Sequence, residues 1–202
     1  MDVPDATEES ERTHAAPVAD VWDMSWTNRV TGKYKAVFDS PESAGGAAIY
    51  RAVSWCEQYK EVYGATRAEM TPVVVLRHNG LYLAMKDEFW ALADAGKELK
   101  ERDEKGRKWA RANPVGAAAA AANPSQAKFS LANFIADGGI ALACAWSFGG
   151  AASILGKKEK LDQAAARARA KELLIPGVIL QPNGIFAALR AQEAGCSYII
   201  AS

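Results

Sequence analysis

The sequence has little cysteine and less histidine. Cys56, Cys144 and Cys196 stand far apart with no C-x-x-C pair, and His14 and His78 are the only histidines. That supply is too thin for a Cys/His zinc site, and it offers no disulfide framework. There is no excess charge of either sign: Lys plus Arg and Asp plus Glu number 24 each. The basic surface that non-specific nucleic-acid binding draws on is therefore missing, and no nucleic-acid partner is expected. Long apolar runs are missing too. The longest, around residues 140–146, falls far short of the roughly 20 residues of a spanning helix and suits a buried strand, so no membrane span is expected. No Gly-rich phosphate fingerprint, G-x-S-x-G elbow or paired-carboxylate motif occurs, so neither a cofactor nor a metal is expected.

What is there is enough for one core. The chain has 202 residues, half of them hydrophobic, which fits one globular domain better than two. Its first 20 residues carry Asp2, Asp5, Glu8, Glu9, Glu11 and Asp20 against a single Arg12. Residues 1–30 read as an acidic arm, mobile or exchanged between subunits, with Trp22 and Trp26 placed to staple it to the body or to a partner. A secretory signal needs a basic start and an apolar block of roughly 7–15 residues, and neither is found there. The expectation is a cytoplasmic chain or a mature form whose signal has been removed.

Residues 31–202 alternate short apolar runs with longer amphipathic ones, the pattern of stacked strand-helix-strand units. Strands are predicted at 34–38, 73–76, 140–144, 178–180 and 197–200. Ser40, Pro41 and Glu42 read as the cap, first position and first turn of a helix that Gly64 ends. Further helices are predicted from about Asp87, over 129–136, after Ser147, over 162–174 and over 185–194. Ser147, Gly149, Gly150, Ala151 and Ala152 predict a helix that approaches a neighbour closely. An insertion around 97–124 combines a charged stretch with six alanines between two Asn-Pro pairs, which fits a helix, a loop or a lid. Five strands joined by helical crossovers predict an α/β fold with a five-stranded parallel sheet covered on both faces.

Ligands of such sheets bind beyond the carboxyl ends of the strands. The strand ends are 39–40, 77–79, 144–147 and 181–184. Cys144, ahead of a helix N-terminus, reads either as a reactive thiol favoured by the helix dipole or as core filler among Ala143, Ala145 and Trp146. Cys56 and Cys196 read as core filler. Arg77 and His78 are candidates to hold an anion or move a proton, although neighbours on a strand face opposite ways. Asn79 and Trp146 are further candidates for ligand contact. Asn183 and Gly184 form a turn first and a backbone anion cradle second.

The segments KYKAVFDSPESAGGAAIYRA, TPVVVLRHNGLYLAMKDEFW, GGIALACAW and PGVILQPNGIFAALRAQEAGCSYI, in that order, resemble the DsrE/DsrF-like group of small sulfur-relay-related proteins. The resemblance covers about residues 34–200. It implies a three-layer α/β/α sandwich (DsrEFH-like), a homo-oligomer such as a trimer or hexamer, and a small anionic or sulfur-containing ligand. In sulfur-relay members a cysteine at the end of the corresponding strand carries a persulfide, and Cys144 stands at that place. The acidic arm, the Arg77-His78 strand end and the 113–124 insertion are similar to an exported branch of the group. That tilts the expectation toward a mature periplasmic form and keeps a non-catalytic binding or assembly role as the alternative.

Overall fold

The computed structural model describes residues 22–103 and 105–202. Five strands, β1 (Tyr34–Ser40), β2 (Met70–Leu76), β3 (Ile140–Cys144), β4 (Ile179–Gln181) and β5 (Ser197–Ile200), form one all-parallel sheet in the order β4-β3-β2-β1-β5. The three central strands are apolar and buried along most of their length, as strands with helices on both sides must be.

Helices cover both faces, which makes the three-layer sandwich. On one face lie α1 (Ala47–Tyr63), α2 (Asp87–Leu92), α3 (Ala95–Glu98), α5 (Leu131–Ala136), α6 (Ala145–Glu159) and α7 (Gln163–Glu172). Ile49, Phe89, Trp90, Phe134, Phe148 and Leu155 from these helices, with Leu173 just past α7, meet Phe38, Val74 and Leu76 of the sheet. On the other face α8 (Gly184–Glu193) packs Ala187, Ala188 and Ala191 onto Val37, Val73, Val75, Ile140 and Leu142. Trp26, fully buried in a short 3-10 turn over Ser25–Arg29, completes that second core. Trp26 thus ties residues 22–30 to the body, while residues 1–21 of the predicted acidic arm lie outside the described residues.

Several local expectations are corrected. Ser40 does not cap a helix; it ends β1, and its hydroxyl donates to the Glu42 carbonyl at 2.7 Å. α1 starts at Ala47, after Ala44, Gly45 and Gly46 pass through left-handed backbone. The loop takes this path because the Glu101 carboxylate, from the insertion, accepts from the Ser43 hydroxyl and from the Gly45 amide. The predicted helix over 129–136 begins two residues later, where Ser130 accepts from the Asn133 amide. α6 begins at Ala145 rather than after Ser147, and its close-packed side is Ala151 and Ala152, whereas a β-carbon on Gly149 or Gly150 would meet nothing. Between β2 and α2 the chain makes a 3-10 turn over His78–Ala84 that local pattern had not indicated.

The alanine run is a helix, α4 (Ala117–Ala122). Its order comes from outside the run. Asn113, fully buried, donates to the Leu83 and Met85 carbonyls at 2.8 and 2.7 Å, and Asp87 accepts from the Asn113 and Ala118 amides at 2.9 Å each. Those bonds satisfy backbone groups that a featureless alanine segment cannot satisfy for itself. The charged stretch closes through a bridge between Arg102 and Trp109, whose ring the guanidinium overlies at 3.6 Å.

Candidate functional site

The chain leaves β1, β2 and β3 toward one face of the sheet and leaves β4 toward the other, because only α8 crosses back to β5 on that side. The crossover reverses between β3 and β4, and a crevice at such a reversal is where open parallel sheets hold ligands. Cys144 ends β3 and Gln181 ends β4, paired in register. Cys144 is the N-cap residue of the fifteen-residue α6 and is only 5% exposed. Gln181 is fully buried; its Nε2 donates to the Asp23 and Leu180 carbonyls at 3.0 Å each, and its Oε1 has no partner.

The next residues close the crevice. Asn183 caps α8 by accepting from the Phe186 amide at 2.8 Å. A β-carbon on Gly184 would sit 2.5 Å from Cβ of Arg77, so this backbone lies directly on the Arg77 side chain at the end of β2. In passing from Gln181 on β4 to Arg77 on β2, the 182–184 turn must cross the end of β3, which accounts for the burial of Cys144.

Arg77 is already engaged. Its Nε and Nη2 donate to the Asp39 carboxylate at 2.9 and 2.8 Å, and the Tyr198 hydroxyl donates to the same carboxylate at 2.6 Å. Asp39 is 1% exposed at the end of β1. The bond to Asp39 holds the Arg77 guanidinium above its ordinary pKa. The same carboxylate raises the Tyr198 phenol, first by their hydrogen bond and then with the help of burial. This clamp fixes the ends of β1, β2 and β5 against one another.

His78 and Asn79 lie on the solvent side of the rim. His78 adopts a left-handed backbone with φ 46°, and its amide donates to the Ser147 hydroxyl in the first turn of α6 at 2.8 Å. Asn79 donates to Glu42 at 2.8 Å. Trp146, 75% exposed, does not seal Cys144. The seven candidates therefore divide: Arg77, Cys144, Asn183 and Gly184 gather over one face of the sheet end, while His78, Asn79 and Trp146 edge it. Residues 39–40 and 181–184 are legible in the sequence as strand ends, but nothing local marks Gln181 or Tyr198 for a role. A lone acid closing an apolar strand was the available signal for Asp39.

Of the other two thiols, Cys196 is core filler as expected, whereas Cys56 stands outside both cores. Burial pushes Cys196 and Cys56 each up to about 11, and Cys196 lies in the core under α8. Cys56 is half-buried and lines an 880 Å³ cavity with Met70 and Phe134. A second cavity, of 650 Å³, lies between Trp109 and the alanine helix α4. Among the described residues no group of His, Cys, Asp and Glu is placed to hold a metal ion, and no helix is long and apolar enough to cross a membrane. Compared with known proteins, the chain matches no family model, no curated protein and no solved structure.

Proposed function

We propose that the protein is a thiol-based sulfur carrier working from Cys144. The observation that carries this reading is the position of Cys144, the N-cap residue of α6 at the point where the crossovers reverse. The amides of the first turn of a helix favour negative charge placed at its cap. In the step, the Cys144 thiolate attacks the outer sulfur of a persulfide donor. The donor's S–S bond breaks, the donor leaves as a thiolate with the bonding pair, and the sulfur stays as a Cys144 persulfide. An acceptor thiolate takes it off by the same exchange, so no other electron source is needed. Access requires the 182–184 turn to lift from Arg77. Arg77 positions that turn instead of meeting the sulfur, since its charge is committed to Asp39. The resemblance of the strand and helix segments to the DsrE/DsrF-like group supports the same reading.

A second reading, a non-catalytic small-ligand site, is favoured by Gln181. Its buried Oε1 lacks a donor, and a ligand carrying an N–H or O–H group at the crevice would supply one. Intact-mass measurement after treatment with a sulfane-sulfur donor separates the two. The carrier reading expects one added sulfur on the native protein and none on Cys144→Ser. A folded protein that gains no sulfur at Cys144 rejects it.

A further inference from the structure

The two edges of the sheet are treated differently. The β4 edge is covered, because Gln181 there donates to the Asp23 backbone, and Ile179 and Met24 both pack against the core that holds Trp26 of the Ser25–Arg29 turn. The β5 edge is bare among the described residues. β5 pairs only with β1, so its outer N–H and C=O groups face away from the rest of the chain. All four of its residues are exposed, with Ile200 at 59%, and the strand carries no Lys, Pro or other charge of the kind that protects edges.

Apolar surface continues from this edge onto α8. Gly184, Ala187, Ala188 and Ala191 face the sheet, and α8 runs antiparallel to the strands in front of it. For a right-handed helix in that orientation, Ile185 projects on the flank toward β5 and Leu189 outward beside it, away from the sheet, and both are more than half exposed. Tyr198 and Ile200 share that side of the sheet, because Tyr198 is in register with Val37 and Ile200 with Asp39. Ile185, Leu189, Tyr198, Ile199 and Ile200 together expose roughly 400–500 Å² of side chain, at the upper end of what a monomer leaves bare.

We infer that this face joins two copies of the chain about a twofold axis perpendicular to the sheet. Such an axis sets β5 antiparallel to its mate and keeps like faces together, extending the sheet to ten strands. Residues that face each other must then share a face, so the axis passes through a residue of the strand; the register we infer centres it on Ile199, with Tyr198 opposite Ile200. No charge in the strand meets its own copy across the axis. Twice the apolar patch, with the outer backbone bonds and a polar rim, approaches the roughly 1,200–2,000 Å² of a specific interface. This inference is independent of any chemistry at Cys144.

Sedimentation equilibrium of the full chain from low to high micromolar concentration tests it. The expected mass is twice that of the chain for the parent protein and that of a single chain for Ile199→Lys. Ile185→Lys, at a site that touches solvent in the monomer, is expected to shift the same equilibrium toward monomer without altering cooperative unfolding. Ile199→Cys is expected to form an intermolecular disulfide under mild oxidation, and the control Val62→Cys on exposed α1 is not. A parent mass that stays monomeric or reads as a trimer overturns the inference. So does a dimer that both lysine variants leave intact, or one lost only when residues 1–21 are deleted.

Discussion

Replacing Asp39 by Asn removes the charge from a carboxylate that is 1% exposed and accepts from both Arg77 and Tyr198. Removing one partner of a buried pair strands the other charge, at a cost of about 3–5 kcal/mol, and the Arg77 side chain, 21% exposed, still reaches some water. The lower end, about 3 kcal/mol, is therefore expected, corresponding to a fall of roughly 6–12 °C in Tm for a domain of this size. Chemical denaturation is the assay, and the midpoint should fall while the slope stays constant. The same reasoning makes a second demand. Arg77→Met also destabilises alone, but the double variant Asp39→Asn/Arg77→Met leaves neither charge stranded and should cost less than the sum of the singles by about 1–3 kcal/mol. An Asp39→Asn midpoint equal to the parent's, or strictly additive costs in the double variant, refutes the clamp.

Gly184→Ala places a β-carbon against Arg77 and should destabilise by about 1–3 kcal/mol; because the turn must then lift, Cys144 should react faster with a maleimide. An unchanged Cys144 rate in the folded variant counts against the crossing turn as its cover. Ser130→Ala and Asp162→Ala each remove a side-chain cap, accepting from Asn133 and Ala165, and should each cost about 1 kcal/mol in the same denaturation experiment. Cys56 and Cys196, both raised by burial from 9.0 to about 11, stay protonated in the folded state. Their contribution to stability is complete below pH 9.0 and fades as pH rises through 11, and Ellman's reagent at pH 8 should label both slowly until denaturant is added.

The strands were legible because their composition is decisive: 73–76 and 140–144 are unbroken apolar runs, and they appear within β2 and β3 as read. The five-strand parallel sheet followed from the helices between them. Boundaries set by local chemistry alone were less secure. Ser40, Pro41 and Glu42 carry every local mark of a helix start, yet the carboxylate of Glu101, 58 residues beyond Ser43, dictates the loop instead. The alanine run could not be decided from within, since Asp87 and Asn113 supply the bonds that order it. At the candidate site, Cys144 was found from its position between strand and helix. Its cover was not, because that depends on where Gly184 lands after crossing another strand. The Asp39 clamp was hidden for the same reason: its three members are 38 and 159 residues apart.

The sheet order also constrains how the polypeptide is made. β1 sits between β2 and β5, and β5 leaves the ribosome more than a hundred and fifty residues after β1. Throughout that interval a nascent chain can already zip β1 to β2, but the opposite border of β1 has no mate and presents Val37 and Phe38 backbone to any passing strand. Synthesis thus holds open an invitation to mispair that only the arrival of β5 withdraws. Stalled or C-terminally clipped products should accordingly be the species that ribosome-associated chaperones retain and that settle into inclusion bodies.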